Sequence, residues 1–220
     1  MSYRTASLAT ALALFASFCL LGLHAVHAQE KDKKEAAKAD EFFNGKDLEG
    51  WEGLKEYWSV KDGAIVGSTP KGLSFNTFLC SKQMYGDFEL KFQVKMTKSG
   101  NSGVQVRSKI HNKEKLAVTG PQCDMGGPYW GSLYGENFGG MMKAADAKLV
   151  KKVLKEEMFN DYYIKAVGKH ITIKLNGETT VDDDFAKAPD TGIIAFQLHG
   201  GPPMEVIFKN IQFTAITEKK

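Results

Sequence analysis

Between residues 88 and 96 the apolar side chains Phe88, Leu90, Phe92, Val94 and Met96 alternate with Glu89, Lys91, Gln93 and Lys95. A period of two belongs to a strand with one buried and one wet face, and helical spacing does not fit it. Ile171-Thr172-Ile173-Lys174-Leu175 alternates in the same way and stops at Asn176-Gly177, ahead of Thr179, Thr180 and Val181. Asn-Gly suits a two-residue hairpin turn, so a tight antiparallel pair is predicted there. Further strands are predicted at 58–60, 64–67, 77–80, 103–109, 162–167, 192–199 and 205–216. They are punctuated by Asp62-Gly63, Ser99-Gly100, Gly168 and Gly200-Gly201-Pro202-Pro203, which is turn chemistry.

Many short strands without alternating helices predict an all-β fold, two antiparallel sheets packed face to face as a jelly-roll sandwich. One stretch, 141–158, reads two ways. Ala144, Ala145, Leu149, Val150, Val153 and Leu154 would line one side of a short helix, or the stretch is an extended excursion with its own strand.

The termini change the picture. Residues 1–28 carry a single charge, Arg4, then an apolar run through Leu12, Leu14, Phe15, Phe18, Leu20, Leu21 and Leu23, then Val26-His27-Ala28. That order is a secretory signal with a small residue at the cleavage position; an uncleaved membrane anchor is the other reading. Residues 29–40 are dominated by Glu, Lys, Asp and Ala with no large apolar group, a flexible charged leader. The folded domain is placed at 41–216, with a short tail at 217–220, and the protein is expected to be exported, with no stable membrane insertion once the signal is removed.

In the 220-residue chain, 29 basic against 26 acidic residues leave a formal charge of +3, which supplies little drive towards nucleic acid. After signal removal two cysteines remain, Cys80 and Cys123, whose spacing matches no zinc motif; a disulfide and a free buried pair both stay open.

Residues two apart on a strand share a face. On that rule Gln105 and Arg107, Gln122 and Asp124, and Gln197 and His199 are three polar pairs, each pointing away from the apolar side of its strand. In one sheet they would line a polar surface holding a guanidinium, a carboxylate and an imidazole. Beside it runs Met125-Gly126-Gly127-Pro128-Tyr129-Trp130-Gly131-Ser132-Leu133-Tyr134-Gly135, glycines for tight turns and aromatic rings with flat apolar faces. The combination suits a carbohydrate. An ordinary wet sheet face with a structural Arg–Asp pair is the plainer reading. Asp182-Asp183-Asp184 lacks the spacing of a calcium loop and reads as a solvated turn. No phosphate loop, dinucleotide fingerprint, nucleophile elbow or His-Glu-x-x-His occurs.

Ordered blocks along the chain resemble the 3-keto-disaccharide hydrolase domain, also called the 3-keto-glucoside 1,2-lyase/3-keto-2-hydroxy-glucal hydratase domain. They are Phe43-Asn44-Gly45-Lys46-Asp47-Leu48-Glu49-Gly50-Trp51, Trp58-Ser59-Val60-Lys61-Asp62-Gly63, Tyr85-Gly86-Asp87-Phe88-Glu89-Leu90 and Asn101-Ser102-Gly103-Val104 with Arg107. Gly120-Pro121-Gln122-Cys123-Asp124, Leu133-Tyr134-Gly135, Asn160-Asp161-Tyr162, Leu175-Asn176-Gly177 and Gln197-Leu198-His199-Gly200-Gly201-Pro202 follow in family order. The resemblance implies a concanavalin-A-like sandwich and cleavage of glycosides oxidised to a ketone at C3. It also marks a departure: many members carry a Glu-x-Gln-Ile-x-Asp-type strand where this chain has Pro121, which removes an amide donor and implies an edge or a bulge.

A C3 ketone acidifies the C2 proton, so a base can remove it, the enolate can expel the C1 oxygen, and water can add back. Such chemistry needs a base, a group for the enolate oxygen and an acid near the leaving oxygen. The resemblance implies His199 or Asp124 as base and Arg107 or a divalent cation at the enolate. Gln122, Gln197, Asn101 and Tyr134 would hold sugar hydroxyls, with Gln105 and Trp130 beside them. No cofactor is certain; a metal held by Asp124 and His199 is a thin ligand set. A sugar-binding module of the same fold without catalysis is the alternative function.

Overall fold

The computed structural model describes residues 42–217. The signal predicted at 1–28, the leader at 29–40 and the last residues of the tail lie outside the described residues.

Two seven-stranded antiparallel sheets make the domain. The first is ordered β1 (Trp51–Glu52), β4 (Thr77–Ser81), β13 (Ile193–Leu198), β6 (Asn101–Asn112), β7 (Ala117–Gly126), β8 (Leu133–Glu136) and β9 (Gly140–Lys143). The second is ordered β12 (Glu178–Asp184), β11 (His170–Leu175), β10 (Asn160–Val167), β5 (Phe88–Met96), β14 (Met204–Ala215), β3 (Ala64–Thr69) and β2 (Trp58–Lys61). The fold is the all-β sandwich of jelly-roll type that the alternation predicts.

The alternating residues of β5 explain the packing. Phe88, Leu90, Phe92, Val94 and Met96 face inward, against Val104, Cys123, Met125, Leu133, Phe196 and Leu198 of the first sheet. Aromatic rings thicken the middle: Phe92 stacks on Tyr162, and Phe196 meets Phe208 with centroids 4.6 Å apart. Burying each such side chain stabilises the fold by about 1.5–3 kcal/mol relative to leaving it in water.

The Asn-Gly turn forms as predicted. Leu175 pairs with Glu178, and Asn176 and Gly177 take φ of 49° and 88°, the two positive values that let a two-residue loop follow the strand twist. Both readings of 141–158 are partly realised, because the stretch opens in β9 and continues into a short helix, α1 (Ala147–Val153). Asp146 starts that helix, its Oδ1 accepting from the Lys148 amide at 2.8 Å. The carboxylates of 182–184 lie in β12 rather than in a turn; Asp182 and Asp184 bracket the His170 ring at 3.0 and 2.7 Å, and Asp183 pairs with Lys143.

One departure from strict alternation decides the site. In β6 the register against β7 jumps from Gln105↔Gln122 to Lys109↔Thr119, and Arg107 sits at φ 47°. Such a bulge breaks the two-residue parity. Ser108, not Arg107, therefore rejoins Gln105, donating to its Oε1 at 2.7 Å. Opposite the bulge stand Gly120 and Pro121; a Cβ on Gly120 would lie 2.2 Å from Ser108 Oγ. The bulge foreseen from Pro121 is thus present, inside the sheet rather than at its edge.

Cys80 and Cys123 are free and buried. Cys123 belongs to the core between the sheets, whereas Cys80 packs with Phe78, Val118 and Ala195 in a separate apolar cluster. Burial pushes the Cys80 thiol up to about 12 and the Cys123 thiol well above its ordinary value.

Candidate active site

Cross-strand register assembles a polar face on the first sheet. Ala195 pairs with Gln105, Gln105 with Gln122, and Gln122 with Tyr134, while the neighbouring row sets Gly103 beside Asp124. Directly opposed residues share a face, so β13, β6, β7 and β8 present these side chains together. At the end of the rows the His199 amide donates to the Asn101 carbonyl at 3.4 Å. A cleft of about 340 Å³ opens here, lined by Asn76, Asn101, Gln122, Asp124, Tyr129, Tyr134, Glu136, Asn137 and His199.

Beneath the cleft lies a buried chain of hydrogen bonds with a defined direction. Ser108 Oγ donates to Gln105 Oε1 at 2.7 Å, and Gln105 Nε2 donates to Gln122 Oε1 at 2.9 Å. Gln122 Nε2 then donates to Asp124 Oδ1 at 2.7 Å and to Gln197 Oε1 at 3.1 Å. Gly103 makes room for this fork, since a Cβ there would meet the Gln122 side chain at 2.6 Å. The Asp124 backbone is fixed as well: its carbonyl accepts from the Gly131 amide and, at 3.0 Å, from the hydroxyl of Tyr162, which reaches across from the second sheet.

Asp124 is only 5% exposed. Burial raises its carboxyl to about 7, against the Gln122 hydrogen bond, which lowers it, and with the negative charge of Glu136, which raises it further. A carboxyl poised near neutrality can both give and take a proton in the working range. His199 contributes a different group. Its Nδ1 lies 2.6 Å from the Gly200 carbonyl oxygen, which can only accept, so Nδ1 carries the proton. In the neutral ring Nε2 then keeps its lone pair.

Of the residues singled out in the sequence, Asp124, His199, Asn101, Gln122 and Tyr134 line the cleft. Asn101 and Tyr134 do so from β6 and β8, not from loops. Gln105 and Gln197 are fully buried beneath it, and both N–H groups of Gln122 are committed to Asp124 and Gln197. These three amides therefore hold the carboxylate and one another. Gln197 Nε2 has no hydrogen-bond partner, but it is buried beneath the cleft rather than open to a sugar hydroxyl.

Two expectations are corrected. Arg107 does not reach the cleft: its guanidinium donates to Asp87 Oδ1 at 2.7 Å, to the carbonyls of Gly86 at 2.7 Å and Pro189 at 3.3 Å, and to that of Gly168. It pins the first sheet to the start of β5 and the β10–β11 turn, and the bulge that breaks alternation is the reason. Trp130 turns into the core, 7% exposed, while its neighbour Tyr129, 44% exposed, stands at the cleft.

Glu136 and Asn76 were not foreseen. Glu136 follows Tyr134 by two positions in β8, so period two extended past Gly135 would have placed it on the same face. Asn76 precedes β4 and belongs to no periodic run.

Among the described residues no group of three or more His, Cys, Asp and Glu side chains gathers to hold a metal ion. The Asp124–His199 pair lacks the third protein ligand usual in a catalytic divalent centre. A larger open groove of about 700 Å³ lies on the second sheet around Tyr163. Its polar groups satisfy one another, with Gln93 donating to Asp161 and Asn210 donating to Gln93, both at 2.9 Å. Its carboxylates, Glu89 and Asp161, are not buried as Asp124 is, so the smaller cleft is the candidate site.

A sequence profile of the 3-keto-alpha-glucoside-1,2-lyase-like domain matches residues 38–214. Among solved structures, a Parabacteroides distasonis protein provisionally designated a glycosyl hydrolase superposes with a TM-score of 0.60 at 24% identity, covering 80% of this chain and 92% of its own. A second structure from that organism, with the same designation, gives 0.58 at 23% identity, covering 78% of this chain and 96% of its own. The carbohydrate-binding module CBM66 of Bacillus subtilis gives 0.55 at 13% identity, over 76% of this chain and 96% of its own. At these identities the structures share the fold. No curated protein matches the chain.

Proposed function

Because the chain belongs to the 3-keto-alpha-glucoside-1,2-lyase-like domain family, whose work is on carbohydrate, we propose that it cleaves glycosides carrying a ketone at C3 by elimination across C1 and C2. The observation that carries this reading is one cleft lined by a carboxyl raised to about 7 and by an imidazole with its proton fixed on Nδ1. His199 Nε2 takes the C2 proton. The C2–H electron pair forms the enolate, which collapses to expel the C1 oxygen as the C1–C2 double bond forms. Protonated Asp124 hands its proton to that departing oxygen, so the aglycone leaves as a neutral alcohol. Water then adds across the new double bond, with His199 and Asp124 returning to their starting states. The net reaction is hydrolysis.

Asn101 and Tyr134 face the same space and supply the hydrogen bonds to sugar and enolate oxygens that Arg107 cannot supply. Tyr129, exposed at the cleft, offers its ring to a sugar C–H face. Export, read from residues 1–28, is proposed as the setting.

The test is incubation of the protein with a 3-keto-glucoside bearing a chromogenic leaving group, beside the unoxidised glycoside. Release from the keto compound alone, lost in His199→Ala and in Asp124→Asn while both variants stay folded, is expected. Binding of the keto sugar without release would replace this reading with that of a non-catalytic sugar-binding module.

A further inference from the structure

We propose that Asn76 is a positioning residue that ties His199 and Glu136 together at the cleft, an inference that rests on the catalytic reading of the same site. One short amide side chain bonds to both sides of the cleft with opposite polarity. Its Oδ1 accepts from the Gly200 amide at 2.9 Å, and its Nδ2 donates to Glu136 Oε1 at 3.0 Å. The Gly200 residue that gives its N–H to Asn76 also gives its carbonyl oxygen to His199 Nδ1 at 2.6 Å. The run His199, Gly200, Asn76, Glu136 is therefore continuous, and it joins segments from β13, β4 and β8 that are far apart in sequence.

The backbone supports the same connection. A Cβ on Gly200 would lie 3.0 Å from the Phe75 amide nitrogen, so the segment before β4 and the corner after β13 run in close contact. Asn76 is held at that contact, where it fixes the His199–Gly200 peptide, while the Gly201 N–H, donating to the Leu73 carbonyl at 2.7 Å, fixes the next peptide, whose oxygen sets the His199 tautomer; losing the Asn76 bond frees one of the two ends of Gly200.

The chemistry of the position selects an amide. An Ala side chain supplies neither bond. An Asp side chain sets a second carboxylate against Glu136 at hydrogen-bonding distance, and the repulsion between the two like charges drives it off the Gly200 amide. The reverse polarity would work: with Asn76→Asp and Glu136→Gln combined, the amide at 136 donates to the carboxylate at 76, and the Gly200 bond survives.

The experiment uses the full chain and reads the His199 ring nitrogens by ¹⁵N NMR, alongside kcat and KM for the chromogenic 3-keto-glucoside. In the parent the neutral ring is the Nδ1–H tautomer. Asn76→Ala and Asn76→Asp each convert it to a tautomer mixture, and the combined Asn76→Asp, Glu136→Gln variant restores it. In Asn76→Ala kcat falls by up to about 100-fold while KM changes far less, the pattern of misplaced catalytic groups rather than lost binding. Should Asn76→Ala not fold, Asn76→Asp and the combined variant carry the comparison. An unchanged His199 tautomer in the single variants overturns the proposal whatever the activity, as does a shifted tautomer with unaltered kcat. A shifted and restored tautomer in a chain that never cleaves the keto substrate upholds the positioning and removes only the reaction assigned to the cleft.

Discussion

Gln122 Nε2 stands 2.7 Å from Asp124 Oδ1, two residues along the same face of β7. That bond favours the charged carboxylate and opposes the burial that keeps the proton on. Removing it in Gln122→Met raises the Asp124 carboxyl above about 7. Glu136 and His199 line the same cleft and stay in place. With Asp124 acting as the acid, the alkaline limb of the kcat profile moves to higher pH, and Gln105 Nε2 and Gln197 Oε1 lose a partner at about 1–3 kcal/mol of stability each. A profile unmoved by Gln122→Met would detach Asp124 from the limb.

The same carboxyl makes stability depend on pH. Its folded value, about 7, lies above the ordinary 3.8, so the folded state holds the proton more tightly and the contribution is full below about 4. It is lost as pH rises through the window between those values. Asp124→Asn removes the titration and leaves an acceptor for Gln122. The variant is expected to gain on the parent between pH 4 and 7, level off above, and end on the order of a few kcal/mol more stable at pH 8. Thermal melts of both proteins across that range check it; a difference flat with pH would mean that the carboxyl titrates normally.

Arg107 is 2% exposed and pairs with Asp87 at 2.7 Å. Burial lowers its pKa, and the neighbouring Asp87 charge offsets that. Asp87→Ala leaves the guanidinium with carbonyl oxygens only, a change that costs about 3 kcal/mol when a buried charge loses its partner. Denaturant unfolding should show that loss while KM for the keto-glucoside stays close to the parent value. A large change in KM with stability preserved would return Arg107 to the list of substrate contacts.

Gly103→Ala tests the fork itself. The added methyl group would lie 2.6 Å from Gln122, so the amide must leave its place between Asp124 and Gln197. Overpacking of this kind costs about 1–3 kcal/mol. Activity should fall together with stability, and a fully active Gly103→Ala would show that the fork is dispensable.

How far the sequence reaches follows from what a two-residue period can encode. It places Gln122 with Asp124, because β7 keeps its alternation through that pair, and Gln197 with His199, because the alternation of β13 carries one residue past its end. It misplaces Arg107, because alternation fails within the Val106–Ser108 bulge, and the only local sign is Gly120-Pro121 on the opposing strand. Period two names a face but not a depth, so Gln105 and Gln197 read as sugar contacts although they lie below the surface. Loop residues carry no period: Trp130 and Tyr129 are adjacent, and only the packing of the Gly127–Tyr129 turn determines which ring is buried. Glu136 was within reach of the rule, and Asn76 was not.

The two buried thiols bear on how the folded domain meets an oxidant. Cys80 and Cys123 occupy separate apolar clusters, and both hold their protons tightly, so neither thiolate is available for exchange in the folded state. The described domain contains no cross-link for an oxidant to make or a reductant to undo. Once folded, the described domain offers neither thiol to an oxidant or a reductant.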